Sequence, residues 1–155
     1  MLYHVTDVKI EDVAKIEDFS KKTFNAMELS RYGFNYCSIT WLKRLKGFIE
    51  GANGYCINIK DNGAILGVAC AYSSPSLYDC SQISLNCSGV QPNNELSHTV
   101  KTKVVLSLIS RLEEISKEEG MLFNIFSIDP SVDLGKHLEK YGYELCTNYY
   151  IKEVS

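Results

Sequence analysis

The sequence has no apolar run long enough to cross a membrane and no segment typical of secretion. A membrane-spanning helix needs about 20 consecutive, mostly apolar residues, and no run in these 155 residues approaches that length. The opening residues, Met-Leu-Tyr-His-Val-Thr-Asp, include neither a basic segment nor a long apolar one. We therefore expect a soluble, cytoplasmic protein that does not act on a membrane.

The chain also lacks an excess of positive charge. Its 16 lysines and arginines stand against 19 aspartates and glutamates, which gives a formal net charge of -3. Proteins that bind the phosphate backbone of nucleic acids usually present a clearly basic surface. The charge balance therefore gives no support for a nucleic acid as partner.

Cysteine pairing motifs are absent as well, although the chain has six cysteines. None of them forms a Cys-x-x-Cys pair, and cysteines and histidines do not cluster at the spacing of a zinc site. Three lie in apolar, strand-like segments, where a free thiol behaves as a small apolar side chain. We expect reduced, structural cysteines and no metal site. The six are Cys37, Cys56, Cys70, Cys80, Cys87 and Cys146.

What the sequence does have is the composition of one globular domain. Hydrophobic residues make up 45% of the chain, and a chain of this length can bury a core without disulfides or metal ions. No internal repeat, linker or low-complexity tract divides it. We expect a single domain over residues 1–155.

The spacing of apolar residues predicts the element order β-α-α-β-β-β-α-β-α-β. This order indicates an α/β (α+β) fold with a mixed, mostly antiparallel sheet and helices on both faces. Ser38 is the expected N-cap of the second helix, Asn62-Gly63 predicts a hairpin, and a loop is expected over residues 73–76. The predicted strands span residues 3–8, 55–60, 64–72, 82–90, 121–128 and 143–154, the last as one or two strands, and the predicted helices span 10–30, 38–50, 100–119 and 132–141.

The second predicted helix has two different faces. Trp41 is expected to anchor the helix on the sheet. On the other face, Lys43, Arg44 and Lys46 are expected to be solvated rather than to bind a ligand.

The centre of the chain is a strand-turn-helix-strand unit over residues 81–128. A polar turn over residues 91–99 leads into a helix with an apolar stripe, which Gly120 is expected to end. Such a unit normally pairs its two strands in parallel and places the helix N-terminus at the carboxyl end of the first strand, where α/β folds bind anions. The stripe consists of Val100, Val104, Val105, Leu108, Ile109, Leu112 and Ile115.

These features resemble the GNAT superfamily of N-acetyltransferases over nearly the whole chain. The resemblance rests on Asp12-Val13 at the start of the first helix, on the Asn62-Gly63 hairpin and on Val90-x-Pro92 before the central helix. The segment Leu138-Glu139-Lys140-Tyr141-Gly142-Tyr143 is similar to the family ending L-Y-E-K-x-G-F. The resemblance implies a GNAT-like acyltransferase domain that transfers an acetyl group from acetyl coenzyme A (acetyl-CoA) to a primary amine by direct attack.

The resemblance also implies where the acetyl-CoA would bind. Strand backbone would pair with the amide groups of the pantetheine arm, and backbone amides of the turn over residues 93–99 would face the pyrophosphate. Neither a metal nor a covalent enzyme intermediate is required. The implied cofactor-binding residues are Cys87, Ser88, Gly89, Val90, Asn94, Glu95, Ser97, His98, Thr99 and Lys101, with His98 also open to interpretation as an ordinary polar residue at a helix start.

The turn departs from the family pattern, Gln/Arg-x-x-Gly-x-Gly/Ala. Its glycines would fall near Leu96, His98 and Val100, and none is present. A Cβ atom restricts positive φ angles and the close approach of a diphosphate to the backbone. Donors at the helix start, with Lys101 and Lys103 close by in sequence, can still favour an anion.

The expected catalytic groups depart from the family as well. The family's tyrosine, which protonates the departing thiolate, falls on Leu138, which has no proton to donate. His137 and Tyr141 are chemically able neighbours, but a helix turns about 100° per residue and points each of them elsewhere; the alternative is a packed Tyr141 and a surface His137. Asp79 and Glu95 are the candidate general bases.

Three functions remain open from the sequence. One is acetyl transfer to an amine of a small molecule or a protein. The second is a catalytically degenerate protein of the same fold that binds or regulates, with a homodimer as one arrangement. In the third, the turn binds another phosphate-bearing ligand. The sequence does not identify the acceptor.

Overall fold

The computed structural model describes residues 2–26, 35–75, 81–126 and 135–144, without the side chains of Phe123 and His137. Within these ranges four α-helices accompany a five-stranded sheet. The order of the elements agrees with the predicted order as far as α4. The elements are β1 (Thr6–Asp7), a 3-10 turn (Ile10–Asp12), α1 (Val13–Ala26), α2 (Ser38–Glu50), β2 (Gly54–Asp61), β3 (Ala64–Pro75), β4 (Ile83–Pro92), α3 (His98–Glu118), β5 (Phe123–Phe126) and α4 (Gly135–Lys140).

The sheet is mixed and mostly antiparallel, as predicted. Its strands lie in the order β1-β2-β3-β4-β5, and the first three neighbouring pairs are antiparallel. The predicted hairpin joins β2 to β3 through Asn62 and Gly63, whose φ angles are 48° and 83°. Asparagine and glycine enter this left-handed region more readily than other residues, which explains why the dipeptide marks the turn.

The predicted central unit is confirmed. β4 and β5 pair in parallel, from Ser84 opposite Phe123 to Cys87 opposite Phe126, and α3 connects them. The apolar stripe of α3 packs on the sheet, where it contacts Leu85 and Cys87 of β4. Val105 and Ile109 of the same helix pack on Leu138 of α4. Gly120 follows the end of α3 with a φ of 69°, and the Met121 N–H reaches back to the Ser116 carbonyl, so glycine ends this helix as expected.

The opposite face of the sheet is covered by α1 and α2. Ile16 and Phe19 of α1 and Leu45 of α2 pack on Cys56 and on Cys70 in β2 and β3. Helices therefore lie on both faces, as predicted. In the described ranges, no helix combines the length and the apolar composition needed to span a membrane.

Several predicted boundaries are wrong. Ser38 is the first residue of α2 rather than its N-cap, which is Cys37. β3 continues through residues 73–75, predicted as loop, because they pair with residues 83–85 of β4. Cross-strand pairing of this kind depends on residues far apart in sequence, which local patterns do not show. The strands predicted over 143–154 lie almost entirely outside the described residues.

The cysteines in the described ranges are free thiols. Cys56, Cys70 and Cys87 are buried in the sheet, as expected for structural cysteines, and the Sγ atoms of Cys56 and Cys70 are 3.5 Å apart. Cys37 is exposed. The predictions for Cys80 and Cys146 lie outside the described residues.

Candidate functional site

An irregularity in β4 lies at the centre of the candidate site. Cys87 is opposite Ala71, and Gly89 is opposite Cys70, so the residue between them, Ser88, has no partner on β3. Such a β-bulge bends a strand and turns its side chains in a new direction. The described pairing with β5 ends at Cys87, and residues 89–91 pair only with β3 among the described residues. Among the described residues, the edge of β4 that faces away from β3 therefore has no strand partner at residues 89–91.

A cavity of about 390 Å³ lies between α2, β3 and this part of β4. A second cavity of about 480 Å³ adjoins it and shares Arg44, Phe48 and Tyr72. These volumes lie in the range of sites for small molecules. The first cavity is lined by Trp41, Arg44, Phe48, Val68, Cys70, Tyr72, Ser88, Gly89 and Gln91.

One face of α2 forms a wall of the cavity. Trp41, Arg44 and Phe48 follow one another at intervals of three and four residues, which places them on the same side of a helix. Lys43, Arg44 and Lys46 are all exposed, as predicted. Arg44 differs from the two lysines because it also lines the cavity, which the sequence did not indicate. Trp41 was predicted to anchor the helix, and its side chain lines the cavity as well.

Gly89 leaves open space beside the cavity. A Cβ atom built on Gly89 would have the Gln91 side-chain nitrogen as its nearest neighbour, at 3.9 Å, and its φ angle is not in the left-handed region. A larger side chain at this position is therefore compatible with the fold. It would occupy space that the native chain leaves open to a ligand.

Asn93 organises the turn between β4 and α3. Its Oδ1 accepts a hydrogen bond from the Glu95 N–H at 2.9 Å, and its carbonyl accepts one from the Leu96 N–H at 3.3 Å. The Asn93 N–H bonds the Leu66 carbonyl at 2.8 Å. None of the turn residues has a positive φ. The turn therefore needs no glycine for its backbone conformation, because an asparagine side chain closes it.

The same hydrogen bonds reduce the number of backbone amides that the predicted anion site can offer. The amides of Asn93, Glu95 and Leu96 are occupied within the protein, which corrects the prediction that the whole turn over residues 93–99 offers its N–H groups. The first helical hydrogen bond runs from the Lys101 N–H to the Ser97 carbonyl at 2.9 Å. The amides just before it, of His98, Thr99 and Val100, have no partner among the described residues, as is usual at a helix start.

The side chains around these amides are accessible. Ser97 is the N-cap of α3, and its side chain makes no capping hydrogen bond. Ser97, His98 and Thr99 are exposed, and Lys101 is half-buried. Asn94 and Glu95 are exposed too, although the Glu95 carboxylate would repel an anion.

The predicted strand residues divide into two groups. Ser88 and Gly89 line the cavity. Val90 packs against the core, and Cys87 is paired with strands on both sides. Burial raises the pKa of the Cys87 thiol to about 12. Cys87 is absent from the described lining of the cavity, and a contact between Cys87 and a cofactor stays a prediction.

The candidate catalytic side chains that the structure describes do not lie at the cavity. Leu138 is buried, and Tyr141 is 54% exposed rather than packed, which corrects the alternative interpretation of that side chain. Tyr141 and Glu95 are absent from the described lining of the cavity. The side chain of His137 and the whole of Asp79 lie outside the described residues.

Two residues of the cavity lining carry hydroxyl groups, Tyr72 and Ser88. The sequence singled out Ser88 as a cofactor-binding residue but did not single out Tyr72. The Cys70 thiol lines the cavity too, but a hydrogen bond with Cys56, together with burial, raises the pKa of Cys70 well above its ordinary value. Cys70 is therefore a neutral thiol near neutral pH and a poor nucleophile. The long-range pairing that brings Tyr72 to this place had no local signal.

The sequence matches no family model and no curated protein. Solved structures do match over nearly the whole chain. A transcriptional regulator from Bacillus halodurans C-125 has a TM-score of 0.75 at 14% identity, with 97% of this chain and 99% of that chain covered. An aminoglycoside acetyltransferase from an uncultured soil metagenomic sample has a TM-score of 0.69 at 17% identity, with both chains fully covered.

A GNAT family acetyltransferase from Staphylococcus aureus has a TM-score of 0.68 at 14% identity, with 99% of this chain and 100% of that chain covered. Identities this low establish a shared fold without establishing a shared activity. The chain has the fold of the GNAT acetyltransferases.

Proposed function

We propose that the protein is an N-acetyltransferase that moves an acetyl group from acetyl-CoA to a primary amine. The observation that carries the proposal is the position of the cavity. It adjoins the bulged part of β4, and the same strand leads directly into the free amides at the start of α3. An extended amide-rich ligand with an anionic end fits such an arrangement.

The described residues fit the two ends of acetyl-CoA. The edge of β4 at residues 89–91, which is open among the described residues, would pair with the pantetheine amides, as another strand would. The free amides of His98, Thr99 and Val100, together with Lys101, would hold the pyrophosphate. Here the helix dipole and the charge of the lysine both favour an anion. The absence of glycine does not prevent this binding, since Asn93 closes the turn at negative φ.

Bound acetyl-CoA supplies a thioester whose carbonyl carbon an amine can attack. The protein's part is to orient the amine and to accommodate protons. In the described lining, no carboxylate or histidine is present to take a proton, so these residues leave the proton of the amine to water. Among the described lining residues, Tyr72 and Ser88 carry the hydroxyl groups that are the candidate general acids.

A second candidate function is a protein of this fold that has lost its chemistry and acts in binding or regulation. Two observations favour it. Leu138 occupies the place of the family's tyrosine and is buried against Val105 and Ile109, and one similar structure is that of a transcriptional regulator. Acetyl transfer to any amine by the purified protein would exclude this candidate.

The proposed site can be tested with Gly89→Leu. The nearest atom to the new Cβ is the Gln91 side-chain nitrogen, at the ordinary contact distance of 3.9 Å, so the fold should persist while the space beside the cavity is filled. We expect kcat/KM for acetyl transfer to fall about hundredfold, as for a misplaced substrate. Ala14→Leu, on the exposed side of α1, is the matched control and should retain activity. Equal activity of the Gly89 variant would place the reaction elsewhere.

A further inference from the structure

The charges of the two cavities are unusual for a site that receives an amine. Arg44 lines both of them, and none of their described lining residues is an aspartate or a glutamate. Two other cations on the neighbouring elements are paired: Lys46 with Glu50 at 3.7 Å, and Lys60 with Asp12 at 2.6 Å. Arg44, like Lys43 on the same helix, is exposed and has no ion pair with any described residue. Arginine remains charged at all ordinary pH values, and Arg44 differs from Lys43 in lining the cavities, so it gives their described lining a positive charge.

Trp41 lies beside Arg44 on the same wall. The two residues are three apart on α2 and therefore neighbours on its surface. The indole nitrogen of Trp41 is buried out of contact with solvent, so a ligand in the cavity meets the ring rather than the N–H. A carboxylate beside this ring can accept hydrogen bonds from the Arg44 guanidinium, since its two oxygens accept several and donate none when ionised.

The rest of the wall is aromatic. The rings of Phe48 and Tyr72 line both cavities, and Trp41 lines the first. Aromatic rings also attract cations, so a polyamine or an aminoglycoside has to be considered. Such a ligand would bring several positive charges to a wall that contains Arg44 and, among the described residues, no carboxylate. Like charges facing one another disfavour binding, and the lining therefore favours an apolar ligand with an anionic group.

We propose that the acceptor is an amine that also carries a carboxylate, with the size and apolar character of a free amino acid such as phenylalanine or leucine. Arg44 binds the carboxylate, and the rings of Trp41, Phe48 and Tyr72 contact the side chain. The amine then lies towards Ser88 and Gly89 on β4. This assignment rests on the proposed acetyl transfer, since it names the substrate class of the same site.

Matched pairs of amines separate the carboxylate from the rest of the acceptor. L-Phenylalanine is compared with phenethylamine, and L-leucine with isoamylamine, because each pair differs only in the carboxylate. Kanamycin represents polycationic acceptors. For the wild type, we expect kcat/KM to be about tenfold or more higher for the amino acid of each pair, the effect of one charge-assisted hydrogen bond. Kanamycin should not be acetylated.

Substitutions assign the preference to named residues. Arg44→Ala should lower kcat/KM for the amino acids about tenfold or more and leave the plain amines unchanged. Trp41→Phe keeps a ring on this wall and removes only the buried N–H, so it should retain the preference for the amino acids. Lys43→Ala removes a neighbouring positive charge from α2 that does not line either cavity, so it should behave as the wild type.

The binding of each component, measured by calorimetry, separates failure of this proposal from failure of the proposed function. If the protein does not bind acetyl-CoA, the transfer activity is wrong whatever the acceptor. If it binds acetyl-CoA but plain amines or kanamycin react as well as the amino acids, the acceptor class is wrong and the activity stands. A preference for amino acids that survives in Arg44→Ala would also overturn the assignment. If phenylalanine binds to the wild type, binds less well to Arg44→Ala and is not acetylated, the carboxylate site stands and the proposed acetyl transfer is wrong.

Discussion

At Gly67 the sheet and α3 lie too close together for a methyl group. A Cβ built there would lie 2.5 Å from Val104 Cγ1 and 3.2 Å from Leu108 Cδ1. Both of those side chains are fully buried in the main core. The close packing of α3 on β3 thus explains why a glycine stands in the middle of this strand.

Gly67→Ala should therefore lower the free energy of unfolding, by about 1–3 kcal/mol, as overpacked cores do. Urea denaturation measures the change. Gly47→Ala is the control, because a Cβ at Gly47 in α2 meets no atom within 4 Å and alanine favours a helix over glycine by about 0.5–1 kcal/mol. The two variants should change stability in opposite directions. A Gly67 variant as stable as the wild type would contradict the packing described for α3.

The residues of the cavity wall show which contacts a single sequence does not predict. Helical spacing correctly groups Trp41, Arg44 and Phe48 on one side of α2. It does not say that Tyr72 and Ser88 lie opposite them, because that depends on the packing of α2 on a sheet formed by distant strands. Charged residues on helices are usually solvated, so Arg44 gave no signal of its own.

At the scale of elements, the turn between β4 and α3 shows that a missing motif can have a local replacement. Sequence reasoning expected glycine where a positive φ was assumed to be necessary. The structure instead uses the side chain of Asn93 to satisfy the amide of Glu95, and all the turn residues keep negative φ angles. The start of α3 therefore retains free amides without the family's glycines.

Ser97→Asp tests whether these amides bind an anion. Aspartate is as good an N-cap as serine, so the melting temperature should stay the same or rise. The added negative charge should weaken acetyl-CoA binding about three- to tenfold. Ser110→Asp adds the same charge about 20 Å along the helix and should leave the affinity unchanged.

Unchanged affinity in Ser97→Asp would place acetyl-CoA away from the start of α3. Weaker binding of inorganic pyrophosphate in the same variant, without any effect on acetyl-CoA, would instead favour the third function considered from the sequence, a turn that binds another phosphate-bearing ligand.

At the scale of the whole molecule, the order of the elements could be predicted because each has a strong local pattern. The parallel pairing of β4 and β5 and the apolar stripe of α3 follow from short-range periodicity and a short connection. The extension of β3 to Pro75 and the bulge at Ser88 could not be predicted, since both arise between strands. The fold was thus readable from the sequence, whereas the cavity was not.

The whole-molecule account depends on one claim, that the open edge of β4 and the start of α3 together bind acetyl-CoA. Calorimetric titration of the wild-type protein with acetyl-CoA tests it most directly. We expect heat that saturates with one site per chain and a Kd below about 1 mM. An absence of binding at millimolar acetyl-CoA would contradict the account and leave a GNAT-like fold with another function.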